Sequence, residues 1–242
     1  MDIRIGTSGW NYPHWRKVFY PEHLPQSKWL NFYAGRFTSV ELNASFYRQP
    51  TRENFETWRE KTPPDFLWSV KANRYITHIK KLRDTQDSLE IFYRAVEGLG
   101  GKMGVVLFQL PPSLRFDEEI FAGFLDAQPP GYKITFEFRH ASWLCEEVYK
   151  LLRRKNAAFC ISDTAGRYPY AEVTTADFIY IRLHGSQVLY GSNYTEDELT
   201  TWADRIKGWQ RDAFVYFDND YQGYAVQNAL RLKEMVNLSV DR

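Results

Sequence analysis

Cysteine is nearly absent from this sequence: Cys145 and Cys160 are the only two, too few for a disulfide framework. An excess of one charge is absent as well. With 31 Lys and Arg against 30 Asp and Glu, no global field draws the chain toward duplex nucleic acid or an anionic membrane. No apolar run approaches the roughly 20 residues of a membrane-spanning helix. The start, Met1-Asp2-Ile3-Arg4-Ile5, enters a strand pattern without a leader-like apolar stretch. The expectation is therefore a cytoplasmic protein with no membrane partner, its oligomeric state left open. Linkers and low-complexity tracts are also missing, so residues 1–242 are expected to form one domain. Hydrophobic residues (44%) and aromatic residues (17%) are plentiful, enough for a sizeable core.

Taken in order, the chain alternates strand and helix patterns. Strands are predicted over Ile3–Trp10, Ser39–Phe46, Phe66–Ala72, Gly104–Leu110, Lys133 onward, Ala158–Ser162, Phe178–Leu183 and Ala213–Phe217. Helices are predicted over Ser27–Phe37 with Ser27 as cap, Arg52–Lys61, Ser88–Leu99, Asp117–Ala127, Glu146–Arg154, Glu196–Gln210 and Ala225–Val236. Between Asp163 and Asp177 no long helix is evident. Eight such units in this length fit a (β/α)8 barrel, with a doubly wound open sheet as the other candidate.

The polar residues favour the barrel. Trp10, Glu41 with Asn43, Lys71, Gln109, Glu137 with Arg139, Asp163, Arg182 with His184, and Asp218 with Asn219 fall at the C-terminal ends of the strands. In a closed barrel those ends meet at one mouth, where barrel enzymes build their sites. In an open sheet they would spread along a crevice. The densest stretch is Lys133-Ile134-Thr135-Phe136-Glu137-Phe138-Arg139, which puts a carboxylate and a guanidinium on one face of a strand. Buried charges of this kind are costly unless paired, so the strand carries either an ion network or a solvent-lined site.

Several motifs resemble the YecE-like family: Gly6-Thr7-Ser8-Gly9-Trp10 with Tyr12 and Trp15, Phe19-Tyr20-Pro21, Glu41-x-Asn43 with Ser45-Phe46-Tyr47, Gln109-Leu110-Pro111-Pro112, Glu137-x-Arg139-His140 with Ser142-Trp143, and Arg182-x-His184-Gly185. The resemblance runs over nearly the whole chain. It implies a TIM-type barrel with a charged pocket at its C-terminal mouth and names no reaction. One departure stands out. Where the family usually reads Tyr-Phe-Asn-Asn, this chain has Tyr216-Phe217-Asp218-Asn219, which adds a negative charge to the mouth.

Glu41 and Glu137 are candidates for general base and acid, because two carboxylates in unlike surroundings can have their pKa values pushed apart. His184 is a candidate proton shuttle and Asp163 a further catalytic carboxylate. Substrate contacts are expected from Trp10, Tyr12, Asn43, Tyr47, Lys71, Gln109, Arg139, His140, Arg182, Asp218 and Asn219. The cations supply affinity for an anion and the rings can stack on a sugar or base. Gly185-Ser186 and Gly223 can offer backbone donors to a phosphate, against which Asp218 and Asp220 weigh. His14, His23 and His78 fall in loops with surface roles, Cys160 reads as core packing, and Cys145 lacks a neighbouring His.

Glu41, Glu137, Asp163 and His184 are also metal-ligand types, as in metal-dependent sugar isomerases and epimerases. No His-x-His or His-Glu-x-x-His occurs, however, and several cations at the same mouth oppose a metal. The leading expectation is acid/base chemistry without metal or other cofactor on a small polar, partly anionic molecule such as a sugar derivative. The reaction can be hydrolysis, lysis or isomerisation. A metal-dependent isomerase is the second reading. The third is a non-catalytic barrel for a small ligand or single-stranded nucleic acid, with Lys80, Lys81 and Arg83 along a groove.

Overall fold

The computed structural model describes residues 1–237; the last five residues of the expected 1–242 domain lie outside the described residues. Eight parallel strands form the sheet: β1 (Ile3–Thr7), β2 (Ser39–Leu42), β3 (Leu67–Lys71), β4 (Met103–Gln109), β5 (Lys133–Glu137), β6 (Ala158–Asp163), β7 (Phe178–Leu183) and β8 (Asp212–Phe217). Their order is β1-β8-β7-β6-β5-β4-β3-β2. The two end strands meet through a parallel bridge between Ser8 and Glu41, closing a (β/α)8 barrel.

Helices α1 (Trp29–Ala34), α2 (Ala44–Tyr47), α3 (Arg52–Glu60), α4 (Gln86–Val96), α5 (Glu118–Asp126), α6 (Glu146–Arg154), α7 (Glu196–Gly208) and α8 (Tyr224–Asn237) follow the strands. Their starts are chemically specified: Thr51 with Asn54 and Thr195 with Glu198 form reciprocal capping boxes, and Asp117 accepts from the Ile120 amide. Ser27 does not cap the first helix as expected, because a 3-10 turn over Gln26–Lys28 intervenes before α1. No helix joins β6 to β7 among the described residues. The strand predicted over Ser39–Phe46 stops at Leu42, where the chain coils into α2. No helix of the described residues is long and apolar enough to cross a membrane.

Two apolar bodies result from the alternation of side chains along the strands. Outward residues such as Val40, Trp68, Val106, Phe136 and Ile181 pack under the helices. Inward residues, among them Val105, Leu107, Cys160, Phe178 and Phe214, fill the lower barrel. Above that plug the inward positions turn polar, and this upper storey holds the site.

The β1–β2 seam has a side chain inside it. The Tyr33 hydroxyl, delivered by α1, accepts from the Thr7 amide at 3.0 Å and donates to the Ser39 carbonyl at 3.2 Å. A Cβ on Gly6 would meet that carbonyl at 2.3 Å, so glycine is required where the two strands close on each other.

Candidate functional site

Arg182, pointing inward from the end of β7, is the centre of the upper storey, and all five of its N–H groups are taken. Nε and Nη2 clamp Glu41 at 2.8–3.2 Å, Nη1 reaches Glu137 Oε2 at 2.5 Å and His184 Nε2 at 3.2 Å, and Nη2 also reaches Asp218 Oδ2 at 3.1 Å. Arg182 is 1% exposed, and Glu41 and His184 are 0% exposed.

Glu41 receives further bonds from the Ser8 hydroxyl and the Tyr180 hydroxyl, each at 2.6 Å. Glu137 receives Gln109 Nε2 at 2.9 Å and Arg139 Nε at 2.8 Å. Burial opposes the Glu137 anion, yet Arg139 and Arg182 outweigh it and hold the carboxyl well below its ordinary value. Donors thus surround both carboxylates: Arg182, Ser8 and Tyr180 hold Glu41, and Arg182, Arg139 and Gln109 hold Glu137. These contacts weigh against Glu41 and Glu137 as a general base and acid, because each carboxylate is engaged by several donors.

His184 and Asp218 form the second pair. A guanidinium only donates, so His184 Nε2 accepts from Arg182 and the ring proton sits on Nδ1, 3.0 Å from Asp218 Oδ2. That approach lies off hydrogen-bond direction, and Nδ1 is a buried donor without a formal partner. Asp218 is also held below the ordinary carboxylate range, with Arg182 and His184 prevailing over burial. Its side chain remains 22% exposed, so this carboxylate reaches the rim.

Two cations behave differently from Arg182. Arg139 gives Nε to Glu137, stacks over the Tyr168 ring at 4.5 Å and brings Nη2 to 3.5 Å from the Tyr190 hydroxyl. Its Nη1 makes no hydrogen bond among the described residues. Lys71, at the inward end of β3, is 9% exposed, and its ammonium lies 4.2 Å from the centre of the Phe46 ring. No carboxylate among the described residues comes within 4.0 Å of that nitrogen. Burial and the field of Arg182 draw its pKa down to about 8, against the pull of Glu137, Glu41 and Asp218.

His78, read from sequence as a surface loop residue, belongs to this rim. A π-helical turn over Tyr75–Ile79 carries it back, edge-on to Phe46 at 5.0 Å, with Nδ1 2.8 Å from the Thr77 hydroxyl. Burial first, then Lys71 and Arg139, push its pKa down to about 4, so it stays neutral over the physiological range. Sequence reasoning also passed over Ser8, Tyr180 and Ser162. Ser162 faces inward from β6 with a buried hydroxyl that has no partner, and Asn43 Oδ1 is buried without a partner as well.

The remaining candidates lie elsewhere. Trp10 would share a face with Ser8 on a continued strand, but Gly9 at φ +98 turns the chain and the ring packs edge-on against Trp58 and Trp68 under the helices. Asp163 faces away from the mouth: it accepts from Tyr194 at 2.8 Å and lines a separate cavity of about 330 Å³ with Thr164, Tyr168, Tyr170 and Trp202. His140 caps the turn Ala141–Trp143 through the Ser142 amide. Asn219 bonds the Ser192 carbonyl and Asn228 beneath the last loops. Tyr47 is 74% exposed. Tyr12 roofs the floor from above, donating to the Ser8 carbonyl. The phosphate donors fare no better: the Gly185 amide is taken by Tyr194, and Gly223 abuts Val18 and Trp15. In the Lys80–Arg83 stretch, Lys80 bonds the Asp84 carbonyl and Arg83 faces Asp117.

Residues 4–242 match the family described as "Protein of unknown function DUF72". The chain belongs to that family. It is 27% identical over 272 residues to UPF0759 protein YunF of Bacillus subtilis, covering 98% of this chain and 95% of the relative. UPF0759 protein YecE of Escherichia coli K12 is 29% identical over 145 residues, covering 60% of this chain and 51% of that protein. The crystal structure of a DUF72 family protein from Thermotoga maritima superposes with a TM-score of 0.88 at 33% identity, over 98% of this chain and 100% of that one. These relatives support the family and the barrel.

Proposed function

We propose that the mouth of the barrel is an active site for a small polar molecule bearing an anionic group, worked by acid/base chemistry without a metal. The observation that carries this reading is Lys71: an ammonium on a largely buried side chain, with no contacting counter-ion among the described residues, beside a floor in which Glu41 and Glu137 are clamped. A charge taken out of water without a partner is costly, and a functional site is where such a group is expected. Arg139 supports the anionic half, because its Nη1 edge is free to grip a carboxylate. His184 and Asp218 are the groups placed to hold or move a proton, and Lys71 and neutral His78 supply the opposite polarity at the rim.

The metal-dependent reading is disfavoured by the same contacts. Glu41, Glu137 and Asp218 are ligated by guanidinium, and no group of three or more His, Cys, Asp or Glu among the described residues is arranged to hold a metal ion. A stacking groove for single strands is weakened, in that Trp15, Trp143 and Tyr194 are core while Tyr47, Tyr190 and Tyr221 stay exposed, and in that Lys80 and Arg83 are engaged by the Asp84 carbonyl and Asp117. The two unpaired cysteines, Cys145 and Cys160, suit the reducing cytoplasm as the place of work.

The test is calorimetric titration of the protein with a panel of small hydroxy acids and sugar acids. At least one is expected to bind the parent and to lose affinity in both Arg139→Ala and Lys71→Met. Equal affinity in parent and in the double variant would overturn the assignment of the mouth.

A further inference from the structure

We propose that Lys71 is a carbonyl-reactive amine, forming an imine with the aldehyde or keto carbon of a small oxo acid whose carboxylate is gripped at the Arg139 edge. This rests on the reading of the mouth as an anion site and names the substrate class for it.

The geometry separates Lys71 from every other cation of the upper storey. Arg182 contacts three carboxylates and Arg139 contacts one, whereas the Lys71 ammonium makes no ion pair among the described residues and lies over the face of Phe46. Its backbone is pinned, since the Lys71 carbonyl accepts from the Ser45 hydroxyl at 2.6 Å. The side chain therefore leaves a rigid strand end at the inward face of the barrel and carries its ammonium to the Phe46 ring. The charged groups acting on it are Arg182, Glu137, Glu41 and Asp218, and its own charge is felt by His78 on the rim. An ammonium in contact with a carboxylate would be locked in its protonated, non-nucleophilic form. One desolvated beside other cations releases its proton readily and becomes the free amine that attacks carbonyl carbon. With a pKa near 8, about a hundredfold more of it is free amine at pH 8 than of an ordinary surface lysine.

The chemistry closes without a further reactant. The amine lone pair forms a bond to the carbonyl carbon, the carbonyl π pair moves to oxygen and takes up a proton, and nitrogen loses one. The carbon–oxygen bond then breaks, oxygen departs as water with a second proton drawn from solvent, and the nitrogen lone pair completes the iminium, which becomes the neutral imine on returning its remaining N–H proton to solvent. Protonated, that imine draws electrons from the bond next to the former carbonyl, which favours lysis or isomerisation over hydrolysis. Glu137, held anionic by Arg139 and Arg182, stabilises the positive iminium through its field.

The experiment uses the full chain, glyoxylate as the carbonyl probe and sodium cyanoborohydride to reduce any imine at pH 8. Intact mass and peptide mapping then locate the resulting carboxymethyl group. Lys71 is expected to be labelled about tenfold faster or more than any other lysine, a margin reduced from the free-amine ratio by its burial. Lys71→Arg, which keeps the cation but forms no stable imine, should lose that fast phase while remaining folded by circular dichroism. Should the arginine variant fail to fold, Lys71→Met serves in its place. Glycolate, an anion with no carbonyl, should slow labelling of the parent and raise its melting temperature. Labelling spread evenly over surface lysines, or unchanged in the Lys71 variant, sinks the imine. If glycolate still stabilises the protein in that case, the anion site stands without the amine chemistry; if neither acid shifts the melting temperature, the reading of the mouth falls as well.

Discussion

Arg182 and Lys71 stand in the same storey of one barrel, on strands β7 and β3, and their surroundings are opposites. Arg182 gives five N–H groups to three carboxylates, a serine and a histidine. Lys71 gives none to an anion. The guanidinium is the scaffold of the floor, where the desolvation of each charge is offset by direct contact. The ammonium is held at a cost the fold does not recover, and that imbalance is what makes it available to a ligand.

The sharpest way to break this contrast is Arg182→Met. It would strand Glu41 and Glu137 in the barrel interior, and the expected loss is about 3–5 kcal/mol in chemical denaturation. A loss below 1 kcal/mol would mean the floor is not held by that residue.

Lys71→Met should act in the opposite direction. The folded-state pKa of Lys71 lies below the unfolded value, so between about pH 8 and pH 10.5 the unfolded chain binds a proton that the folded one does not. Stability contributed by this group therefore rises with pH across that window, and below it the group is a burden. At pH 7 the methionine variant is expected to be more stable by about 3 kcal/mol, and its pH profile should be flatter above pH 8 than the parent's. Denaturant midpoints at pH 7 and pH 10 in both proteins decide it.

Arg139→Ala probes the boundary between floor and rim. Glu137 keeps Arg182 and Gln109 as partners, so stability should fall by only about 1–3 kcal/mol. Binding of anionic ligands should nevertheless be lost, as read by calorimetry. Tyr47→Ala is the control of smallest effect: exposed and outside the cluster, it should stay within about 0.5 kcal/mol of the parent with ligand affinity unchanged.

The barrel was legible because the strands announce themselves by β-branched and aromatic residues and α3, α5 and α7 by their caps, and because family motifs run the length of the chain. Within the site, parity decided success. Glu137 with Arg139, Arg182 with His184, and Lys71 all sit on inward positions of strands whose extent was read well. Asp163 is one residue from the inward position, which belongs to Ser162. Trp10 is lost to the turn at Gly9, and no local pattern marks a glycine there as a change of direction. His78 was missed for another reason: the π-helical turn that returns it to the rim has no signature in a single sequence. The clamping of Glu41 by Ser8, Tyr180 and Arg182 joins residues far apart in the chain, and residue type alone does not tell a clamped carboxylate from a working one.

The closure of the barrel has a mechanical meaning. Seven strand junctions are zipped by runs of paired residues, but the β1–β2 junction relies on one bridge, the Tyr33 hydroxyl and the bond from Ser8 to Glu41. Glu41 is thus a rivet as well as an anion. Any breathing that parts this seam moves the floor of the pocket with it, so the amide of Thr7, bonded to the Tyr33 hydroxyl in the seam, should exchange with solvent deuterium ahead of that of Ser8, which is bonded to the Phe217 carbonyl of β8, and a molecule lodged in the mouth should slow it.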